Sequence, residues 1–492
     1  MKKAPIYFLL ILTLVLLLTA CSGRDELWAE DVEQFRALVL ETHPKFADEH
    51  LASFARNIEA RAAFEEAIDE LLQNLSDLSD AEIMAEMQRA AAILRDNHFF
   101  MLLAELETQE TVEIHPLGFR FLTDGFYLLT TEPGFEHALN QRLIAINGRE
   151  IDDIFAEFSS LWSVENLYNA RRSFARLVSS PTVLSALGLH NADKAIFSFA
   201  DGSELTLSRE DTVLLAPNTA FFFPMFSLSD REAGDLPFFL DIRGEDMNGH
   251  NWFIFMEEYD ILYIRLEMYV QNMEAEVFAP FAEEVKQAFE AHTPQAVIID
   301  ARHNPGGDNA YLMELFAFLA EHTDEGMLFH FVDEGSMSAS MLGAAHLKSL
   351  GAILIGQPLG QNTDFYGFHT VGTSAEGMFF GDLDFLDGMD LDDVIEVGTN
   401  TDVYPYFEIL TMTVREILEM AEARERAEAG PITWNHPHLQ VNVPNVFLSA
   451  SQQFDLELEF YTLRPHVLIE HTIQDWIQNH DPLLAYVIAH LE

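Results

Sequence analysis

The chain is poor in cysteine, in cations and in long apolar runs, and each shortage closes off a class of function. A single cysteine, Cys21, stands among 492 residues, which leaves no intrachain disulfide and no cysteine-based zinc site. Lysine and arginine total 27 against 81 aspartates and glutamates, a formal charge of -54. Such a surface repels phosphate backbones and anionic membranes, so nucleic acid is excluded as a partner. The apolar run at residues 6–18 is shorter than the about 20 residues that a membrane-spanning helix needs. Gly-x-Ser-x-Gly is missing, and with it the nucleophile elbow of the α/β-hydrolases. What is present is apolar mass: 49% apolar residues and 40 phenylalanines supply more core than an acidic disordered chain carries. This length implies two or three folded units.

The N-terminus reads Lys2-Lys3, then the apolar run, then Leu18-Thr19-Ala20-Cys21, the layout of a secretory signal. Cys21 lies where a bacterial lipobox places the cysteine that is acylated, so the start resembles a bacterial lipoprotein. On this reading residues 1–20 are removed and residues 21–27 tether an extracytoplasmic chain that touches the membrane through its lipid alone. Lipidation of Cys21 leaves no thiol nucleophile, and covalent catalysis falls to serine, threonine, lysine or a carboxylate.

Helical spacing of Val32, Phe35, Leu38 and Val39, and again of Ile83, Met84, Met87, Ala90, Ile93 and Leu94, predicts a helical unit over residues 28–110. Residues 111–210 alternate short apolar stretches with turn signals, among them a hairpin centred on Asn147-Gly148, and read as a mostly β module with one or two helices. From residue 211 onward, apolar strands at 261–265, 296–300, 327–332 and 352–355 alternate with helices at 280–292, 311–320 and 340–350. That pattern predicts a mostly parallel sheet covered on both faces. An apparent insertion occupies about 368–430. Its run of six aspartates, Asp382 to Asp393, does not keep calcium-loop spacing and reads as a solvated acidic loop. Strands return near 439–449 and a helix closes the chain at 481–491.

Two loops at strand ends carry the chemical signal. In Asp300-Ala301-Arg302-His303-Asn304-Pro305-Gly306-Gly307 a buried strand runs into paired glycines and then a helix, exposing N–H groups suited to an oxyanion. In Glu334-Gly335-Ser336-Met337-Ser338-Ala339-Ser340 a serine sits at a helix start, where the dipole favours developing negative charge. A serine in such a place also caps helices. His303, His436 and His438 lack the grouping of a metal site, so no metal and no cofactor is expected.

Taken together these loops resemble the tail-specific, or C-terminal processing, serine peptidases, whose cores carry Asp-x-Arg-x-Asn-x-Gly-Gly and then Ser-Ala-Ser. Gly356-Gln357-Pro358-Leu359-Gly360 is similar to their Gly-Glu-Pro-Thr-Gly turn, Asp96-Asn97-His98 to their Asp-Gly-His, residues 141–158 to their PDZ-like module, and Asp481-Pro482-Leu483-Leu484 to their closing segment. The resemblance implies an α/β fold with a helical N-terminal cap, a PDZ-like β module and a mixed, mostly parallel α/β sandwich core of the ClpP/crotonase-like type. It makes Ser338 the nucleophile, with Ser336 second, and the N–H groups of Gly306, Gly307 and Ala339 the oxyanion hole. Members with a Ser/Lys dyad carry a lysine where this chain has Gln361, and no lysine or arginine lies between Lys348 and Arg415. Glutamine cannot take the hydroxyl proton. The tricorn-like branch instead takes its base from a histidine at the end of the helical region, here His98, and a glutamate near the C-terminus, here Glu459. Met341, Phe365 and His466 depart from the family pattern.

The resulting expectation is a lipid-anchored, extracytoplasmic serine peptidase whose partner is a polypeptide or its C-terminal tail. The alternatives are a non-hydrolytic peptide- or ligand-binding lipoprotein on the same fold and a surface scaffold that works through its acidic insertion. The sequence does not indicate an oligomeric state.

Overall fold

A computed structural model describes residues 4–47, 58–102, 112–132, 134–189, 194–215, 251–267, 269, 275–307, 310–367, 394–397, 410–413, 434–436, 440–444, 446–454, 456 and 462–492, with the backbone course alone for 4–22. The helical unit follows the predicted spacing. A helix over Ala4–Thr42, continuous through residues 21–27, packs Trp28, Val32, Phe35 and Val39 against Phe64 and Ile68 of helix Ile58–Asn74 and Ile83 and Met87 of helix Asp80–Ala92. Ser79 and Glu82 form a reciprocal capping box at the start of the last helix, which fixes its direction. The chain leaves that helix through Arg95, at φ 51°, and delivers Asp96-Asn97-His98 to the centre of the molecule. No helix among the described residues is long and apolar enough to cross a membrane.

In the second unit the expected hairpin is formed: strand Leu143–Ile146 turns through Asn147 and Gly148, at φ 50° and 76°, into Arg149–Glu150. Positive φ at both turn residues is what a two-residue type I′ hairpin requires. This unit is more helical than its turn signals implied. Helices span Ile151–Leu161, Leu167–Leu177 and Pro181–Ala186, where one or two were expected. Ile154, Phe158, Leu161 and Phe174 bury helix-spaced faces against strands Leu117–Leu122, Gly125–Thr131 and Lys194–Phe199, and Asn166 and Ser180 cap two of the helix starts.

The core is a six-stranded sheet in the order β1 (Asn251–Met256), β2 (Ile261–Leu266), β3 (Ala296–Asp300), β4 (Leu328–Val332), β5 (Ile353–Gly356), β6 (Val467–Leu468). Only the β1–β2 pair is antiparallel. Helices α1 (Ala275–His292) and α2 (Ala310–His322) cover one face, and α4 (Pro482–Leu491) covers the other. Every residue of β2, β3 and β4 is buried, the pattern of a sheet wrapped on both sides. Helix α3 (Ala339–Ser349) follows β4. Within the expected insertion, strands Val394–Val397 and Leu410–Thr413 pair antiparallel; the aspartate run lies outside the described residues.

A buried ionic knot ties the C-terminal end of β3 to the last helix. Asp300 accepts from the Tyr263 hydroxyl, from Arg265 Nη1 at 2.9 Å and from Arg302 Nη2 at 2.6 Å, and Arg302 reaches on to Asp481 at 2.8 and 3.1 Å. Burial alone would raise the Asp300 pKa, but Arg302 and Arg265 hold it well below the usual carboxylate range. Asp481 in turn caps α4. Arg302→Met leaves Asp300 with Arg265 and Tyr263 alone and takes from buried Asp481 its arginine partner, and is expected to lower unfolding stability by about 3–5 kcal/mol; chemical denaturation beside the wild type measures it, and a loss under 1 kcal/mol is not expected.

Candidate active site

The loop after β3 is shaped by close backbone packing. Asn304 donates to the Leu266 carbonyl at 2.9 Å and accepts from Gly306 N–H at 2.9 Å, while its own carbonyl accepts from Met337 N–H at 3.1 Å. Gly306 and Gly307 have φ of 105° and 127°. A Cβ on Gly306 would lie 2.6 Å from Ser338 Cβ and 2.7 Å from the Met337 carbonyl oxygen, and one on Gly307 would overlap the Tyr269 carbonyl. Only glycine permits this approach, so the paired glycines are what seat the loop against the serine.

Ser338 stands at the start of α3 with φ 53° and ψ -123°, a conformation that non-glycine residues rarely take. It occupies the N-cap position, yet its side chain makes no capping hydrogen bond. The residue is half-buried, and its hydroxyl has no hydrogen-bond partner among the described residues. Ser336 differs: its hydroxyl donates to the Ala301 carbonyl at 2.9 Å and accepts from Asp333 N–H at 3.2 Å, and the residue is fully buried. Ser336 is therefore bound into the scaffold and Ser338 is not. Of the three proposed oxyanion donors, Gly306 N–H is taken by Asn304, whereas those of Gly307 and Ala339 have no partner among the described residues.

The turn Gly356–Gly360 presses Gly360 against the Glu334 carbonyl and so delivers Gln361 beside Ser338. The Gln361 carboxamide is fully buried. Its Oε1 accepts Ser338 N–H, and its Nε2 faces Asn97 Oδ1 at 3.1 Å, His98 Nδ1 at 3.2 Å and Glu165 Oε1 at 3.4 Å. No direct hydrogen bond between His98 and Ser338 is present; one carboxamide separates them. Phe365 stacks on the His98 ring at 5.6 Å, and Asp96 accepts His98 N–H at 2.9 Å while its other oxygen accepts from buried His43 at 2.9 Å. Glu459 lies outside the described residues, as does His438. Met341 is buried in the core beneath α3, and His466 Nδ1 accepts Leu354 N–H at 2.9 Å. Cys21 lies in the N-terminal helix, within the stretch given as backbone alone.

Electrostatics separate the ionisable groups. Burial lowers the His98 pKa, opposed by Asp96. Burial and then the Asp96 charge push Glu165 up to about 8. A second cluster lies behind the serine loop, where Arg120 meets His303 at 2.9 Å and Asp333 at 3.2 Å and Asp333 accepts from His303 at 2.6 Å; burial holds His303 down at about 4. His436 pairs with Asp31 at 2.6 Å and stacks on Trp28. Asp96, His98 and Glu165 bring donor atoms within 4.8 Å of one another, a spacing that would suit a metal ion, and Gln361 Nε2 is the group now hydrogen-bonded to two of them. Asp96, Asn97 and Glu165 were not among the expected site residues. Asp96 and Asn97 were quoted only as the part of the Asp-Gly-His-like stretch that precedes His98, with no role assigned, and Glu165 had no signal.

No family model and no curated protein matches the sequence. Among solved structures, mature CPAF complexed with lactacystin matches over 95% of this chain and 98% of that one, at 11% identity and a TM-score of 0.51. Mature CPAF alone matches over 95% and 96%, at 12% identity and a TM-score of 0.52. The chain has the CPAF fold. The photosystem II D1 C-terminal processing protease also matches, over 68% of this chain and 81% of that one, at 14% identity and a TM-score of 0.31.

The strain at Ser338 is measurable. Ser338→Gly is expected to unfold later than Ser338→Ala by about 1 kcal/mol, because relief of about 1–3 kcal/mol of backbone strain exceeds the entropy cost of glycine. Thermal unfolding of the two variants side by side tests this, and an alanine variant as stable as the glycine variant would place Ser338 in an unstrained helix cap.

Proposed function

We propose that this protein is a serine peptidase with Ser338 as its nucleophile. The observation that carries the reading is Ser338 itself: a strained, uncapped serine at a helix start, packed on a double-glycine loop with unpartnered N–H groups beside it. Ser338 Oγ attacks the scissile carbonyl carbon while His98 Nδ1, released from the Gln361 amide, receives the hydroxyl proton through one water. Gly307 and Ala339 N–H groups meet the oxyanion. Collapse breaks the C–N bond, His98 returns the proton to the leaving amine, and an ester remains on Ser338. Water then gives a proton to His98 as its oxygen adds to the ester carbon, and His98 returns that proton to Ser338 Oγ as the acyl C–O bond breaks and the acid product leaves. Glu459 is proposed, on the family resemblance, as the carboxylate that balances the His98 charge.

The same resemblance assigns residues 111–210 to a PDZ-like module that presents a substrate tail by β-strand addition. Cys21 is proposed as the lipid attachment point of an extracytoplasmic chain. The non-hydrolytic alternative draws on Gln361, which stands where a dyad lysine would act.

The test is cleavage of a peptide library, with labelling by a fluorophosphonate, in which Ser338 Oγ displaces fluoride from phosphorus. Ser338→Ala and His98→Ala are expected to lose about three orders of magnitude or more in cleavage, and Ser338 to be the labelled residue. Absence of both cleavage and labelling in the wild type would favour the ligand-binding reading. Because burial lowers the His98 pKa, its base form already predominates at pH 7. The kcat/KM profile is expected to be flat there and to fall only as pH drops below 6.5, the ordinary histidine value; a half-point above 6.5 would exclude His98 as the base.

A further inference from the structure

The residue in the lysine position does more than vacate it. We propose that Gln361 is a positioning residue, a neutral strut that fixes the Ser338 main chain and the His98 ring through a single carboxamide. This rests on the serine-peptidase reading for its consequence in catalysis, although not for its geometry.

The carboxamide has one orientation that suits its surroundings, with the two N–H hydrogens shared among three acceptors. Ser338 N–H is a donor and needs the oxygen, while Asn97 Oδ1, His98 Nδ1 and Glu165 Oε1 are acceptors gathered within 3.1–3.4 Å of the nitrogen. A flipped amide would set oxygen against three acceptors and NH2 against an N–H. Buried polar groups are costly to leave unpaired, so the local network selects this orientation. The backbone at 361 is held as well: Thr462 Oγ1 donates to the Gln361 carbonyl at 2.6 Å, and Asn362 N–H donates to Glu165 Oε2 at 2.7 Å. The side chain therefore hangs from a fixed point and holds Ser338 in its strained φ from one side, while Gly306 holds it from the other.

Two consequences follow for the reaction. The Ser338 N–H is committed to Gln361 Oε1, which leaves the oxyanion to Gly307 and Ala339. His98 Nδ1 accepts from Gln361 Nε2, so the ring is oriented by the same group that fixes the nucleophile, and that hydrogen bond is released when Nδ1 takes the proton. A lysine here would place a cation against the histidine and oppose its protonation; the carboxamide gives the same reach without the charge.

Gln361→Met keeps the length and apolar stem but neither donates nor accepts as an amide does; Gln361→Glu keeps the acceptor for Ser338 N–H and removes the NH2. With both variants folded by thermal unfolding, Gln361→Met is expected to slow fluorophosphonate labelling of Ser338 and kcat by about 10- to 100-fold with KM near wild type. Its Ser338 amide is expected to exchange about tenfold faster or more. Gln361→Glu should keep the amide protected and still label slowly. Wild-type labelling and amide exchange in Gln361→Met would overturn the proposal and leave Gln361 as packing. If the wild type itself does not label, the peptidase reading falls, and amide exchange alone then decides the strut: faster exchange in Gln361→Met upholds it and equal exchange removes it.

Discussion

A single buried carboxylate, Asp300, anchors the floor of the candidate site. It ends the central strand β3, gathers Tyr263, Arg265 and Arg302 around itself, and through Arg302 reaches Asp481 at the start of the last helix. A carboxylate in a dry interior is tolerated only when paired and hydrogen-bonded, and here that pairing sets where the chain turns out of the sheet. The turn determines the course of residues 301–307, and that course brings Gly306 within a methyl's width of Ser338. The strain in the serine is thus supported by a loop whose root is fixed by ionic bonds about the end of β3.

From that floor the site is completed by elements far apart in sequence. The helical unit contributes Asp96, Asn97 and His98, the second unit contributes Glu165, and the turn after β5 contributes Gln361. Their meeting point is the Gln361 carboxamide, where a neutral group links acceptors from two units to the backbone of the nucleophile. The second unit is also tied to the serine loop from behind by Arg120, which reaches Asp333 and His303.

The core could be read from the sequence because its strands are buried on both faces and appear as unbroken apolar runs, and because Gly351 and the paired glycines punctuate it. Ser338 and the loop at 300–307 were legible as motifs for the same reason: strand, glycines and helix follow one another directly. One or two helices were expected between residues 151 and 186 and three are formed, because turn signals flank these short helices and their apolar faces pack on strands as well as on each other. Glu165 was illegible for a different reason: it is one polar residue among many, and only tertiary packing brings it to Gln361. Asn97 stood in the quoted Asp-Gly-His-like stretch, but its contact with Gln361 likewise comes from packing alone. The capping role that most serines at helix starts play is absent at Ser338, and no sequence pattern announces that.

The account stands on Ser338 as a nucleophile whose oxyanion donors are Gly307 and Ala339. The most direct measurement is a crystal structure of the protein after reaction with a serine-reactive phosphonate. The account predicts a covalent bond from Ser338 Oγ to phosphorus, with one phosphonyl oxygen accepting from the N–H groups of Gly307 and Ala339 and Gln361 still bound to Ser338 N–H. An adduct on another residue, or a phosphonyl oxygen turned away from both donors, would contradict it.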